Sequence, residues 1–287
     1  MKFSPPRTPA QSLQEYGRGI AGGLMFSLPL LFTMEVWFAG FMLHPARLAL
    51  YVVATFGVLL AYNRFAGLRS DASWWECAID SVEEMGLGLV LSAAILWLLG
   101  RLDVADDWLV IMGKIVIEGM TVAIGVSVGT AQLGGGQSDA GMENDESESS
   151  AGLSQLAIAF CGAVLFASNV APTEEILVLA EENSPLKLLL LALVSFLLGS
   201  YVLFFAEFRG AQQFARAANM AGLVRGAIST YAVALAASAL MLFFFGRLDG
   251  ETISLCVAQI VVVGLPASLG ASAGRLLLQG NAGGGDD

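Results

Sequence analysis

Two glutamates set into apolar sequence are the first side chains whose surroundings suggest chemistry. Glu35 lies in Phe32-Thr-Met-Glu-Val-Trp37, and Glu175 follows Glu174 in Pro172-Thr-Glu-Glu-Ile176. A charged side chain within a bilayer costs at least about 2.5–3.5 kcal/mol on insertion scales, so its presence calls for a reason. Pro29 precedes Glu35 by six residues; Asn169 precedes Glu175 by the same distance and is followed by Pro172. Proline removes a backbone donor and clashes with the preceding turn, so helix breaks are expected at Pro29 and at Asn169–Pro172. Pro-Thr-Glu-Glu also reads as a fresh helix start with acids in its first turn. A broken helix leaves carbonyls beside a carboxylate, an oxygen-rich setting suited to a hard cation or a proton. The plainer alternative places Glu35 and Glu175 in the outer interface, solvated or paired with Arg47 and Lys187, and Glu174, Glu181 and Glu182 fit it more easily.

Glu118 is the acid set deepest in an apolar run. Lys114, four residues earlier, shares its helical face, so the spacing allows either a structural ion pair or a step in a proton or cation relay. Asp80, Glu83 and Glu84 cluster at a helix entrance, where acids complement the N-terminus and can stay wet. Two segments, Gly125-Val-Ser-Val-Gly129 and Gly270-Ala-Ser-Ala-Gly274, match the G-x-S-x-G of hydrolase nucleophile elbows. That motif needs a strand-turn-helix setting and a histidine base, whereas these copies sit in apolar helices and His44 is the one histidine. Read as Gly-x-x-x-Gly they are close-packing faces, with Ser127 and Ser272 on the seam. Cys77, Cys161 and Cys256 are scattered, without metal or redox spacing. No catalytic residue, metal site or cofactor is expected, and no enzymatic activity.

The elements that must carry these residues follow from composition. Of 287 residues 56% are hydrophobic and only 14% charged, with a net charge of −11, and the mean hydropathy is +0.71. A soluble globule of this size needs about 25% charged residues, and a nucleic-acid binder needs a basic face. What remains is an integral membrane protein in contact with the lipid bilayer. A core about 30 Å thick takes about 20 apolar residues per helix, which gives eight expected spans. They are Ile20–Leu43, Ala46–Phe65, Ala78–Leu99, Trp108–Thr130, Leu153–Ala180, Leu186–Glu207, Gly226–Phe245 and Ile253–Leu277. With the N-terminus inside, Lys2, Arg7, Arg18, Arg64, Arg69, Arg209, Arg216, Arg225 and Arg275 fall on the inner side. Arg47, Arg101, Lys187 and Arg247 fall on the outer. This excess puts both termini in the cytoplasm and the protein in the cytoplasmic (inner) membrane. Trp74, Trp75, Trp97 and Trp108 mark the span edges. The stretch Leu133–Ser150 carries five acids, no base and few apolar side chains, so it reads as a solvated linker. Phe205–Val224 reads as a helix along the inner surface.

The chain also resembles itself. At an offset of 140, Phe26, Thr33, Glu35, Pro45, Arg47 and Arg69 meet Phe166, Thr173, Glu175, Pro185, Lys187 and Arg209. At 146, Gly100-Arg-Leu-Asp103 meets Gly246-Arg-Leu-Asp249; at 145, Gly119, Gly125, Ser127 and Gly129 meet Gly264, Gly270, Ser272 and Gly274. The expected fold is therefore an all-α polytopic bundle of about eight transmembrane helices, built as two parallel four-helix repeats about a pseudo-two-fold axis. A tail, 1–18, precedes repeats over 19–132 and 153–278; a disordered linker, 133–152, joins them, and a disordered tail, 279–287, follows. The small-residue faces are compatible with a homo-oligomer.

Thr33-Met-Glu-Val-Trp37, Ile117-Glu-Gly-Met-Thr121 and Ala171-Pro-Thr-Glu-Glu-Ile176 together resemble an uncharacterised bacterial family of integral membrane proteins, over roughly Arg18–Leu277. The resemblance implies no activity, cofactor or catalytic residue. The residues themselves favour a small-cation or proton-coupled transporter or channel-like protein whose pathway uses Glu35, Glu175 and Glu118, with Lys114 and Glu174 beside them. The alternative is a sensor or accessory subunit acting through cytoplasmic segments, notably Asp139–Glu148 and Phe205–Val224.

Overall fold

The computed structural model describes residues 9–66, 72–103, 105–132, 148–205 and 220–279, and there the chain is helices joined by turns. The first half contains α1 (Pro9–Leu31), α2 (Met34–Met42), α3 (Pro45–Ala66), α4 (Trp74–Leu98) and α5 (Trp108–Gln132). The second contains α6 (Glu148–Ser168), α7 (Glu174–Glu182), α8 (Pro185–Phe205), α9 (Met220–Phe244) and α10 (Ile253–Gln279). Helix edges recur between them. Moved by 140 residues α2 falls on α7, and moved by 146 α4 falls on α9.

Six helices, α3, α4, α5, α8, α9 and α10, are each long and apolar enough to cross a bilayer. The α1/α2 pair makes a seventh candidate, bent by 86° at a break of two residues, and α6 adds a shorter apolar helix, Gln155–Ser168. The run Leu153–Ala180, expected as one continuous span, is thus divided between α6 and α7. Its turn is built from Val170 N–H to Ala167 O and Thr173 N–H to Val170 O, both 3.1 Å, beside Pro172, which has no N–H to give. In the first half Pro29 stays inside α1, whose end is closed by Thr33 Oγ1 donating to Pro29 O at 2.8 Å. α1 starts at Pro9, inside the stretch read as a tail, and α6 starts at Glu148, inside the stretch read as a linker. Residues 133–147 of that linker, and 206–219 of the expected surface helix, lie outside the described residues.

Each half is assembled around its last helix. α5 packs on α1, α2, α3 and α4, and α10 on α6, α7, α8 and α9. Accordingly 67% of the α5 span is buried, against 17% of the α8 span. Glycines let these axes approach. A methyl on Gly129 would overlap Cα of Gly22, and one on Gly113 would overlap the carbonyl of Gly40, so α1 and α2 rest directly on α5. Gly270 meets Gly162 in the same way, seating α6 on α10.

The junction between the halves is one-sided. α3 and α5 pack on α6, with α9 beside α3, while α8 packs on α9 and α10 of its own half. A pseudo-two-fold axis would have α8 meet α1 as α3 meets α6. The difference lies in the side chains. Tyr51 of α3 stacks on Phe244 with ring centroids 4.6 Å apart, and Arg47 pairs with Asp249. The matching positions of α8 are Leu191 and an exposed Lys187.

Candidate functional site

Glu118 lies near the middle of α5 and is fully buried. Neither carboxylate oxygen has a hydrogen-bond partner among the described residues. The Trp37 indole of α2 comes close, but its N–H is given to Leu31 O, at the end of α1, at 3.2 Å. One turn further along α5, Thr121 Oγ1 shares a buried 2.8 Å hydrogen bond with the Tyr51 hydroxyl of α3. Tyr51 lies within electrostatic range of Glu118. The carboxyl group therefore sits where the α1/α2 break, α3 and α5 meet, and it is neutral there only when it holds a proton or a cation.

Lys114 does not neutralise it. Its ammonium turns away from Glu118, 2.9 Å from Asp106 Oδ2 and 3.0 Å from Arg101 O, because a long lysine side chain within the first two turns of the helix reaches the loop carboxylate at less desolvation cost. Lys114 in turn holds the Asp106 carboxyl below its ordinary pKa, chiefly through that hydrogen bond. The Arg101 guanidinium lies 4.9 Å from the centre of the Trp37 ring, so cations cover the end of the site next to the α4–α5 turn.

A second polar cluster lies towards the other end of the same helices. Asn63 of α3 donates to Ser81 Oγ at 3.1 Å and to Glu84 Oε2 at 2.8 Å, both on α4. It accepts from Ser127 of α5 at 3.2 Å. Glu84 is thus half-buried and bonded to an amide, unlike the wet entrance acid that its sequence position suggests. Between the clusters α3 carries the buried hydroxyls of Thr55 and Tyr62. Asn63 and Tyr51 belong to no motif of the sequence, and Thr121 stands there only as the end of Ile117-Glu-Gly-Met-Thr121; an amide and a phenol inside the expected span Ala46–Phe65 are the available signal.

The chain matches, over residues 15–278, the family described as Putative integral membrane protein (DUF2391). It belongs to that family. No curated protein and no solved structure matches it. The family description carries no activity, so the assignment of chemistry rests on the geometry.

Glu35, Glu118 and Glu175 occupy three different environments in this family member. Glu35, in the first turn of α2, is half-exposed; Glu174 and Glu175, in the first turn of α7, are exposed. None of the three forms a hydrogen bond or ion pair among the described residues, since Arg47 goes to Asp249 and Lys187 stays exposed. The two helix breaks, by contrast, do meet. The Asn169 carboxamide, at the end of α6, accepts from Leu30 N–H at 3.0 Å and donates to Phe26 O at 2.9 Å. It also donates to Leu165 O at 2.6 Å. Leu30 and Phe26 are the i and i−4 partners of a regular helix, so one side chain from the second half is inserted into the ladder of α1 beside Pro29. Pro172 O accepts from the Arg247 guanidinium. On the seams, a methyl on Gly125 would stand 3.2 Å from Cα of Gly23, and one on Gly274 would stand 3.0 Å from Ile158 O. Ser127 and Ser272 are both buried there, the first bonded to Asn63 and the second to Gly199 O at 2.9 Å. Among the described residues no three His, Cys, Asp or Glu side chains gather in a way that could hold a metal ion.

Proposed function

We propose that this membrane protein moves protons or a small cation, with Glu118 as the group that binds and releases the charge. The observation that supports it is a fully buried carboxyl group, inside a membrane helix, with both oxygens unpartnered among the described residues. A side chain so costly is retained when something positive visits it. The polar residues in line with it, Tyr51·Thr121 and then Asn63·Ser127·Glu84, give such a charge further oxygens along the first half. Glu35, Glu174 and Glu175 become outer, solvent-facing acids in this reading, which attract cations without enclosing them. The cytoplasmic-membrane location with both termini inside follows from the Lys and Arg distribution. The recurring helix edges and the 140- and 146-residue registers support an internal duplication.

A second reading, a non-transporting sensor or accessory subunit, gains from one observation: Glu35, Glu118 and Glu175 do not converge on a shared cavity. Flux distinguishes the two. In proteoliposomes with an imposed pH or cation gradient, the protein should carry flux, Glu118→Gln should lower it at least about tenfold, and Glu118→Asp should keep part of it. No flux above empty liposomes across protons and the alkali cations, or equal flux from wild type and Glu118→Gln, would remove the transport assignment.

A further inference from the structure

The junction inside the chain uses one face of each half, and the matching faces stay open among the described residues. In that junction Arg47 of α3 takes Asp249 as partner, Nη2 standing 2.9 Å from Oδ1, and lies 4.8 Å from the centre of the Phe243 ring. Moved by 140 residues, Arg47 becomes Lys187 of α8; moved back by 146, Asp249 and Phe243 become Asp103 and Trp97. All three are exposed, Trp97 by 67%, and neither Lys187 nor Asp103 forms an ion pair among the described residues.

The turns that carry the two acids have the same form. Leu99, Gly100 and Arg101 N–H groups donate to Ile95, Trp97 and Leu96 O. Phe245, Gly246 and Arg247 repeat this with Met241, Phe243 and Leu242 O. Both glycines are left-handed, with φ of 66° and 75°. The difference is occupancy. A methyl on Gly246 would press on Leu43 and Arg47, whereas one on Gly100 would meet nothing within 4 Å. Among the described residues the acceptor for an α3-like helix is therefore formed twice and filled once.

We propose that a second copy of this chain fills it, laying α8 against the α1/α4 face of its neighbour so that Lys187 reaches Asp103 and Trp97 across the contact. An apolar face alone would be lipid-facing surface; the complementary, unpaired charges and the filled example within the same molecule identify the occupant. A head-to-tail contact of this kind closes into a ring when the rotation allows it. The inference does not depend on the transport reading.

The test uses the full chain in its native membrane and in lipid nanodiscs. Tagged Lys187→Cys and Asp103→Cys variants, in a Cys256→Ala background, are co-expressed and treated with a short bifunctional thiol reagent. A covalent dimer should form in the mixture and not from either variant alone. Lys187→Asp and Asp103→Lys should each shift the chain to monomer by at least about tenfold in light scattering, and Lys187→Asp/Asp103→Lys should restore the oligomer, which also shows that the variants fold. A monomeric wild type, an oligomer indifferent to either single swap, or a double swap that stays monomeric would overturn the proposal.

Discussion

Where the first half has Glu118, Asn63, Glu84 and Tyr51, the second has Val263, Leu203, Thr230 and Leu191. The surrounding helices pack alike, yet the place of the Asn63–Glu84 hydrogen bond holds, in the second half, a small cavity lined by Gly199, Leu203, Ala227, Thr230 and Ser272. Room for about one water replaces an amide and a carboxylate. What both halves keep is the seam: glycines on the central helix, a serine between them, and a short helix after a break. The comparison separates what holds the helices together from what they carry. Close approach is needed twice, whereas among the described residues the fully buried acid occurs once.

Giving the first half the second half's residue is the severest test. Glu118→Val should abolish proton or cation flux while raising thermal stability, because an unpartnered buried polar group costs about 1–3 kcal/mol. The reverse change, Val263→Glu, should lower the melting temperature and confer no flux; flux from it would show the halves to be functionally equivalent. Next in size is the shared seam. Gly129→Val forces a branched side chain onto Gly22 and should destabilise by about 1–3 kcal/mol or more, whereas Gly86→Ala and Gly57→Ala, which face open space, should gain a few tenths to about 1 kcal/mol from helix propensity. Thermal unfolding in one detergent checks all three.

The joint between the halves comes third. Asn169→Ala leaves Leu30 N–H and Phe26 O without the inserted amide and should cost about 1–2 kcal/mol; amide hydrogen exchange should rise at Leu30 and leave α10 unchanged. The smallest effect is at the turn between α4 and α5. Asp106 has its pKa lowered by Lys114, so the pair stabilises the fold above the ordinary carboxylate value of about 3.9 and loses that contribution as pH falls through the lowered value. Asp106→Asn should therefore lower the melting temperature slightly at neutral pH, with the gap to wild type closing in acid.

Most long helices could be read from the sequence because lipid imposes a coarse requirement. Apolar runs ending in Trp108, Pro45 and Pro185 give span edges within a few residues of α5, α3 and α8. The 86° bend could not be read that way. Pro29 marks a weakness, but the direction taken afterwards is set by Gly40 resting on Gly113, a contact between residues far apart in the chain. The site divided similarly. Glu118 stood out by its depth, whereas its isolation from Lys114 depended on where the Asp106 loop lies. Asn63 and Glu84 found each other across two helices that no spacing rule connects.

The nine residues of α2 have a consequence for how the protein is made. Such a helix is about 14 Å long, under half the thickness of the hydrocarbon layer, so it cannot be threaded through the bilayer in its own right. Its seat on Gly113 belongs to a helix synthesised well after it. The elbow must therefore wait at the membrane surface until α5 has been inserted, and only then can Trp37 close over the buried acid.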